Sequence, residues 1–186
     1  MISCFKGKFK LTSPRGYRTL NGKREYHGGL DLVALDKDKS VYAVADGKVD
    51  ATPYEANGFG YYVRQLLPDG RRIYYGHMTK GSICVKSGQT IKAGEKLGVM
   101  GSSGSSTGAH THVELRVKGT SKQSLDICEF MDIPNKVGTY SSPSVTAEEA
   151  REFVKKKCGF EDKTMEYLSG YRYADDLFIK LYNAME

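Results

Sequence analysis

Between Phe9 and Thr139 the chain sets short apolar or alternating runs between Gly, Asn-Gly and Pro-Asp-Gly punctuation, and helical spacing is nearly absent. That pattern predicts an antiparallel β domain. The runs that read as strands are Asp31 to Ala34, Val41 to Val44, Gly47 to Thr52, Tyr61 to Leu67, Arg72 to His77, Thr90 to Ile91, Lys96 to Met100 and His112 to Val117. In Leu67-Pro68-Asp69-Gly70-Arg71 proline presets φ at one turn position and glycine accepts φ > 0 at another, so the flanking runs should be neighbours.

The periodicity changes after a stretch between Pro134 and Pro143 that contains Gly, Ser and Pro. Thr146-Ala147-Glu148-Glu149 has the form of a capping box and opens a helix that should stop near Gly159. Two more helices are expected, over Glu161 to Ser169 and Tyr173 to Met185. Phe153, Val154, Phe160, Met165, Leu168, Leu177, Phe178, Leu181 and Tyr182 recur at helical spacing and should close a small bundle. The expected fold class is mainly β, with a β domain over residues 1–139, a linker over 140–145 and a helical region over 146–186. A helical unit of about 40 residues is marginal alone, so it is expected to dock on the β domain or on a partner.

Composition narrows the class. The 186 residues suffice for one domain with a small appendage. No apolar run approaches the roughly 18 to 20 residues of a membrane span, and Met1-Ile2-Ser3-Cys4-Phe5-Lys6 has no signal-peptide apolar region. Neither a membrane span nor an export address is therefore expected. Cys4, Cys84, Cys128 and Cys158 are scattered without a Cys-x-x-Cys pair, which points to reduced thiols rather than a cysteine zinc site or a disulfide framework. Lys and Arg number 28 against 22 Asp and Glu, a net charge of +6. From Thr146 onward 7 basic residues face 9 acidic ones, so the excess belongs to the first part of the chain. An ordinary soluble surface accounts for it; the functional reading is attraction to a polyanion such as an anionic bacterial wall. A nucleic-acid partner is not expected, because no recognition helix, zinc finger or paired stacking aromatics accompanies the charge.

Candidate chemistry centres on Gly108-Ala109-His110-Thr111-His112-Val113-Glu114. On a strand, residues i and i+2 share a face, so His110 and His112 project together and Thr111 points away. The only other histidines are His27, in Tyr26-His27-Gly28-Gly29-Leu30-Asp31, and His77, in Tyr74-Tyr75-Gly76-His77-Met78. The paired glycines argue against a helix joining His27 to Asp31, and in a straight strand the two would lie roughly 13 Å apart. A bend at Gly28 or Gly29 through φ > 0 would bring both to one ion. A catalytic zinc takes three protein ligands and a water. His27, Asp31 and one member of the His110/His112 pair supply three, leaving the other member and His77 for proton transfer or oxyanion stabilisation. Without His-Glu-x-x-His, a thermolysin-like helix with a glutamate base is excluded.

His-x-x-x-Asp, then Tyr-Gly-His, then His-Thr-His in chain order resembles the lysostaphin-type (LytM-type) zinc endopeptidases, which cut peptidoglycan cross-bridges or stem peptides. The resemblance covers about Leu11 to Val117 and includes Pro14 to Arg18, Val41 to Val49 and Ile91 to Gly101. It implies one zinc held by His27, Asp31 and His112, with His77 and His110 as the catalytic histidines. It leaves the oxyanion-supporting tyrosine open among Tyr17, Tyr26 and Tyr75. Charged Leu35 to Ser40, and Thr111 where a larger apolar residue is common, depart from the family pattern.

The expected function is a zinc metalloendopeptidase acting on bacterial peptidoglycan at the cell wall. The rival reading is a non-catalytic wall-binding, regulatory or virion structural module with the same fold. A wall hydrolase without an export signal needs another route, so delivery by a phage or mobile element is expected. The C-terminal helices read as a stabilising appendage, a wall-targeting unit or an oligomerisation unit. Gly101 to Gly108 reads as a flexible rim of the cleft, and loops around Tyr54 to Gly60 and Lys118 to Leu125 are expected to select the bond.

Overall fold

The turn at Leu67 to Arg71 folds as its residues require: Gly70 sits at φ +87° and its N–H donates to the Leu67 carbonyl over 2.9 Å in the computed structural model. The structure describes residues 3–20, 22–118, 123–142, 147–170 and 174–185. In chain order the strands are β1 (Gly7–Ser13), β2 (Gly16–Leu20), β3 (Lys23–His27), β4 (Leu30–Ala34), β5 (Ser40–Tyr42), β6 (Gly47–Ala51) and β7 (Tyr54–Glu55). They continue as β8 (Gly60–Leu66), β9 (Arg72–Met78), β10 (Thr90–Ile91), β11 (Lys96–Val99), β12 (Thr111–Arg116), β13 (Ser124–Leu125) and β14 (Gly138–Ser142). A single turn of helix, α1 (Cys128–Met131), lies between β13 and β14.

The main sheet runs β10-β6-β8-β9-β12-β4-β1-β14, with β7 on β8 and β13 on β12. Two small ribbons, β5 with β11 and β2 with β3, stand apart from that path. Its pairings are antiparallel, and the fold is mainly β as expected. One sheet face makes the core: Leu30 and Leu32 of β4, Ile73 and Tyr75 of β9, and Val113 and Leu115 of β12 are fully buried. The alternate positions of the same strands, Asp31, His112 and Glu114 among them, therefore point to the other face. A one-residue slip of β12 would send His112 and Glu114 into the core, so the apolar positions fix where the polar ones go.

Expectation and structure differ at both ends of this unit. Strands β1, β2 and β3 precede the first expected strand, and β5 ends at Tyr42 rather than Val44. Residues 140–142, expected as linker, belong to β14, which pairs with β1 from Gly7↔Ser142 to Leu11↔Gly138. Polar Gly138–Ser142 carries little apolar signal, and the sheet edge defines it through backbone bonds instead. Of the expected linker, residues 143–145 lie outside the described residues.

Helices α2 (Ala147–Cys158), α3 (Asp162–Ser169) and α4 (Ala174–Met185) form a second unit. Gly159, at φ +65°, follows the end of α2 as expected. Thr146 of the capping box and Tyr173 of the third expected helix lie outside the described residues. Ala150, Val154, Met165, Ala174, Phe178 and Ile179 are buried together, with Phe153, Phe160, Leu168, Leu181 and Tyr182 packed against them. Leu177, expected inside, is 37% exposed. The buried stripe of α4 centres on Phe178, with Leu177 and Ile179 flanking it on opposite sides, and the packing takes the Ile179 side. All four cysteines are unpaired, Cys4 and Cys128 buried and Cys84 and Cys158 exposed. Among the described residues no helix is long and apolar enough to cross a membrane.

Candidate metal centre and cleft

Three side chains converge from three strands. His27 ends β3, Asp31 follows Leu30 at the start of β4, and His112 lies directly across from Asp31 in the β4–β12 register. His27 Nε2 is 3.1 Å from Asp31 Oδ1 and 3.0 Å from His112 Nδ1, while His112 Nδ1 is 2.9 Å from Asp31 Oδ1. A tetrahedral ion with bonds of about 2.0 to 2.1 Å holds its ligand atoms roughly 3.3 Å apart, so the spacing matches one face of such a site.

The outer partners set which ring nitrogen faces the centre. His27 Nδ1 lies 2.9 Å from the Pro14 carbonyl, which can only accept, so Nδ1 carries the proton and Nε2 presents a lone pair. His112 is reversed: its Nε2 lies 3.2 Å from Glu114 Oε2, leaving Nδ1 to face inward. Glu114 is in turn held by Arg116, whose Nε donates to Oε1 over 2.7 Å. Arg18 Nη1 donates to Asp31 Oδ2 over 2.9 Å and to Ser13 Oγ over 2.8 Å, and its Nε pairs with Glu25 over 2.8 Å. Asp31 thus has one oxygen tied and the other aimed at the two imidazoles.

Three acceptors facing one point repel unless a positive charge lies among them. Burial would raise the Asp31 carboxyl, but hydrogen bonds with His110, His112 and His27 outweigh it and hold the group far below the usual carboxylate range. Burial would lower the His112 imidazole, yet Asp31 and Glu114 on its two sides raise it. Both shifts express one demand for a cation, which a proton or a metal ion can meet. His27, Asp31 and His112 thus fit a divalent metal by geometry and by donor chemistry.

His77 and His110 stand beside this group, their rings 4.6 Å apart. His110 Nε2 is 3.5 Å from Asp31 Oδ1, and its Nδ1 is 2.8 Å from the Gly108 carbonyl. His77 Nδ1 is 2.8 Å from the Ser103 carbonyl. Backbone acceptors therefore put the proton of each neutral ring on Nδ1; His77 Nε2 has no partner among the described residues, and His110 Nε2 faces Asp31 Oδ1. Burial pushes the His77 imidazole down to about 4, so it is neutral near pH 7. Its backbone is at φ 60°, rare for a residue with a side chain, and is fixed by a 2.7 Å bond from its N–H to the Phe59 carbonyl.

All five expected site residues line one cleft of about 580 Å³. The expected bend is corrected in its cause. Neither Gly28 nor Gly29 has positive φ; they are needed for space, since a Cβ on Gly29 would lie 2.3 Å from the Val113 carbonyl oxygen and one on Gly28 2.8 Å from Glu114 Oε1. The loop from Gly101 to Gly108 borders the cleft through residues 104–107, but it is not a free rim. Ser103 ties it down, donating to the Met78 carbonyl over 2.7 Å, accepting from Tyr61 N–H over 2.9 Å and holding His77. Tyr75 is no oxyanion candidate, because its buried hydroxyl is spent on Gln65 and Val44 N–H. Tyr26 lines the cleft, and Tyr17 packs edge-on against it while remaining 72% exposed. Sequence reasoning missed Arg18, Glu114 and Arg116 as supports; Glu114 was legible as the next same-face residue after His112, whereas nothing local marks Arg18.

With this geometry in hand, comparison with known proteins identifies the family. The description Peptidase family M23 matches residues 25–124, more than half of the chain. The chain belongs to peptidase family M23. This is a metallopeptidase family, and the lysostaphin-type resemblance holds. The chain is 32% identical over 111 residues to the peptidoglycan DD-endopeptidase ShyC of Vibrio cholerae, matching 59% of the chain and 24% of that relative. The catalytic domain of the prophage-encoded M23 protein EnpA from Enterococcus faecalis is 34% identical with a TM-score of 0.58, over 67% of the chain and 93% of that domain. Lysostaphin's catalytic domain from Staphylococcus simulans is 28% identical with a TM-score of 0.56, over 67% and 92%. The chain spans about a quarter of the length of the first curated relatives, 27% and 24%.

Proposed function

We propose that the chain is a zinc-dependent endopeptidase that hydrolyses peptide bonds of bacterial peptidoglycan, with zinc on His27, Asp31 and His112 and with His77 and His110 as catalytic histidines. The observation that carries this reading is the convergence of three lone-pair atoms within 3.1 Å of one another beside two imidazoles held through Nδ1 by backbone carbonyls. Two imidazoles and a carboxylate suit zinc, and three protein ligands are the number catalytic zinc sites use. When bound, the ion supplies Lewis acidity that polarises a substrate carbonyl and lowers the pKa of water.

The remaining work falls to the chain. Nε2 of His77 or His110 accepts a proton from the attacking water and returns one to the departing amine. The Ser103 and Gly108 carbonyls keep each ring in the tautomer that can do so, and an imidazolium N–H formed there can stabilise the tetrahedral oxyanion. Arg18 and Glu114 with Arg116 hold Asp31 and His112 in place. Family relatives that are peptidoglycan DD-endopeptidases support the substrate class. Action at the cell wall follows from that substrate.

Mass spectrometry of fragments released from peptidoglycans of several cross-bridge types, with zinc-loaded and with chelated protein, tests the reading. New amine ends that appear only with zinc are expected. A zinc-loaded protein that cuts none of the walls would contradict it and favour the non-catalytic wall-binding or virion module. A phage or mobile-element origin belongs to the same proposal and is supported by the likeness to the prophage-encoded enterococcal protein. Lysis or tail genes beside the coding sequence are expected, and chromosomal housekeeping neighbours would count against it.

A further inference from the structure

Three carboxylates line the cleft, those of Asp31, Glu114 and Glu55. Two are balanced by cations, Asp31 by Arg18 at 2.9 Å and Glu114 by Arg116 at 2.7 Å. Arg18 also lines the cleft but is already spent on Glu25 and Asp31. Glu55 differs. Its Oε1 accepts a 2.8 Å hydrogen bond from the Tyr62 hydroxyl, and among the described residues no Lys, Arg or His forms an ion pair with it. Burial and the Glu55 carboxylate push the Tyr62 phenol up to about 12, so Tyr62 stays a neutral donor, while Oε2 has no hydrogen-bond partner among the described residues and lies over Gly58 of the cleft wall. Its backbone is held in place: β7 pairs Glu55 with Gly60, and the Glu55 carbonyl accepts from the Gly58 N–H over 3.3 Å.

A carboxylate with a neutral buttress and no cationic partner, on the wall of a peptide cleft, suits an alkylammonium group. The carboxylate supplies the charge and accepts the charge-assisted hydrogen bonds that an ammonium group donates. We propose that Glu55 is a specificity-determining residue that receives a protonated primary amine of the peptide substrate. The inference rests on the endopeptidase reading and sharpens it. In peptidoglycan such an amine has two sources, the side chain of a diamino acid in the stem peptide or the amino terminus of a bridge peptide. It also gives the loop from Tyr54 to Gly60 a stated chemistry.

The test uses the full chain loaded with zinc and four synthetic peptides: a stem-type and a bridge-type peptide, each with its amine free or acetylated. Binding is measured by calorimetry and cleavage by mass spectrometry on the same samples. Wild-type protein should bind one free-amine peptide about fivefold more tightly than its acetylated twin, the scale of a partly solvated ion pair. Whichever pair shows that ratio identifies the source of the amine. Glu55→Gln should bring the ratio close to one and Glu55→Lys should invert it, whereas a purely structural role through Tyr62 would weaken both twins together. Twins bound equally by the wild type, or a ratio unchanged in Glu55→Gln, would overturn the proposal. Because the ratio is read from binding, it decides the matter even if no peptide is cut, and that failure would count against the endopeptidase reading alone.

Discussion

The two sides of the cleft are built differently. Asp31 and His112 are braced by charged side chains, Arg18 on one and Glu114 with Arg116 on the other. His77 and His110 are held through Nδ1 by backbone carbonyls of the Ser-rich loop, at Ser103 and Gly108, with the Ser106 hydroxyl 3.4 Å from His110 Nδ1 and Asp31 3.5 Å from its Nε2. Charged braces fix a geometry and raise ligand basicity, which is what an ion requires. Neutral carbonyl acceptors fix a tautomer and leave Nε2 free to gain or lose a proton, which is what acid–base chemistry requires. The difference implies a division of labour, and the largest expected effect breaks it on the loop side. His77→Gln and His110→Gln should each lower kcat by about 10²- to 10⁴-fold while metal content, measured by elemental analysis, stays full.

On the braced side the effect should be smaller and should fall on the metal. Arg18→Met and Glu114→Gln are expected to weaken zinc binding by about 10- to 100-fold in a chelator competition. Affinity equal to wild type in both would mean that the charged braces are only surface chemistry. Smaller again is Thr111→Val. Thr111 is fully buried with its hydroxyl unpartnered, on the core side of β12. Removing that hydroxyl should raise stability by about 1 kcal/mol in thermal unfolding without altering metal content.

The finest distinction needs no mutation. In an NMR titration of the metal-free protein, the His77 ring should protonate near pH 4. That lies below the ordinary 6.5, so the unfolded chain takes up this proton first as pH falls. His77 therefore contributes stability that is present above about 6.5 and lost as pH drops toward about 4. A ring midpoint near 6.5 would mean that the backbone-held side is more open to water than its burial indicates.

Which parts of this were legible in the sequence follows from what each part needs. That His27, Asp31, His77, His110 and His112 would come together was legible because few side chains can ligate a metal or move a proton near neutral pH, and this chain has only 4 histidines. Strands β8 and β9 were legible because their apolar positions flank a turn whose Pro and Gly name it. Strands β2 and β3 were not: their Gly-Tyr-Arg-Thr-Leu and Lys-Arg-Glu-Tyr-His form a separate ribbon, largely exposed, so no core imposes alternation on them. Arg18 belongs to that ribbon, and its bond to Asp31 arises only when the ribbon folds over the end of β4. The role of Gly28 and Gly29 was misread for a related reason. Sequence suggests freedom of φ, but the space they leave is claimed by β12, distant in the chain and adjacent in the fold.

The most direct test of the division of labour compares the two histidines that flank Thr111: the zinc content of purified His112→Ala and His110→Ala, determined by elemental analysis on folded samples. His112→Ala should be nearly metal-free and His110→Ala should carry zinc as the unmodified protein does. Equal loss from both, or retention in both, would contradict the separation of a braced metal side from a loop-held proton-transfer side.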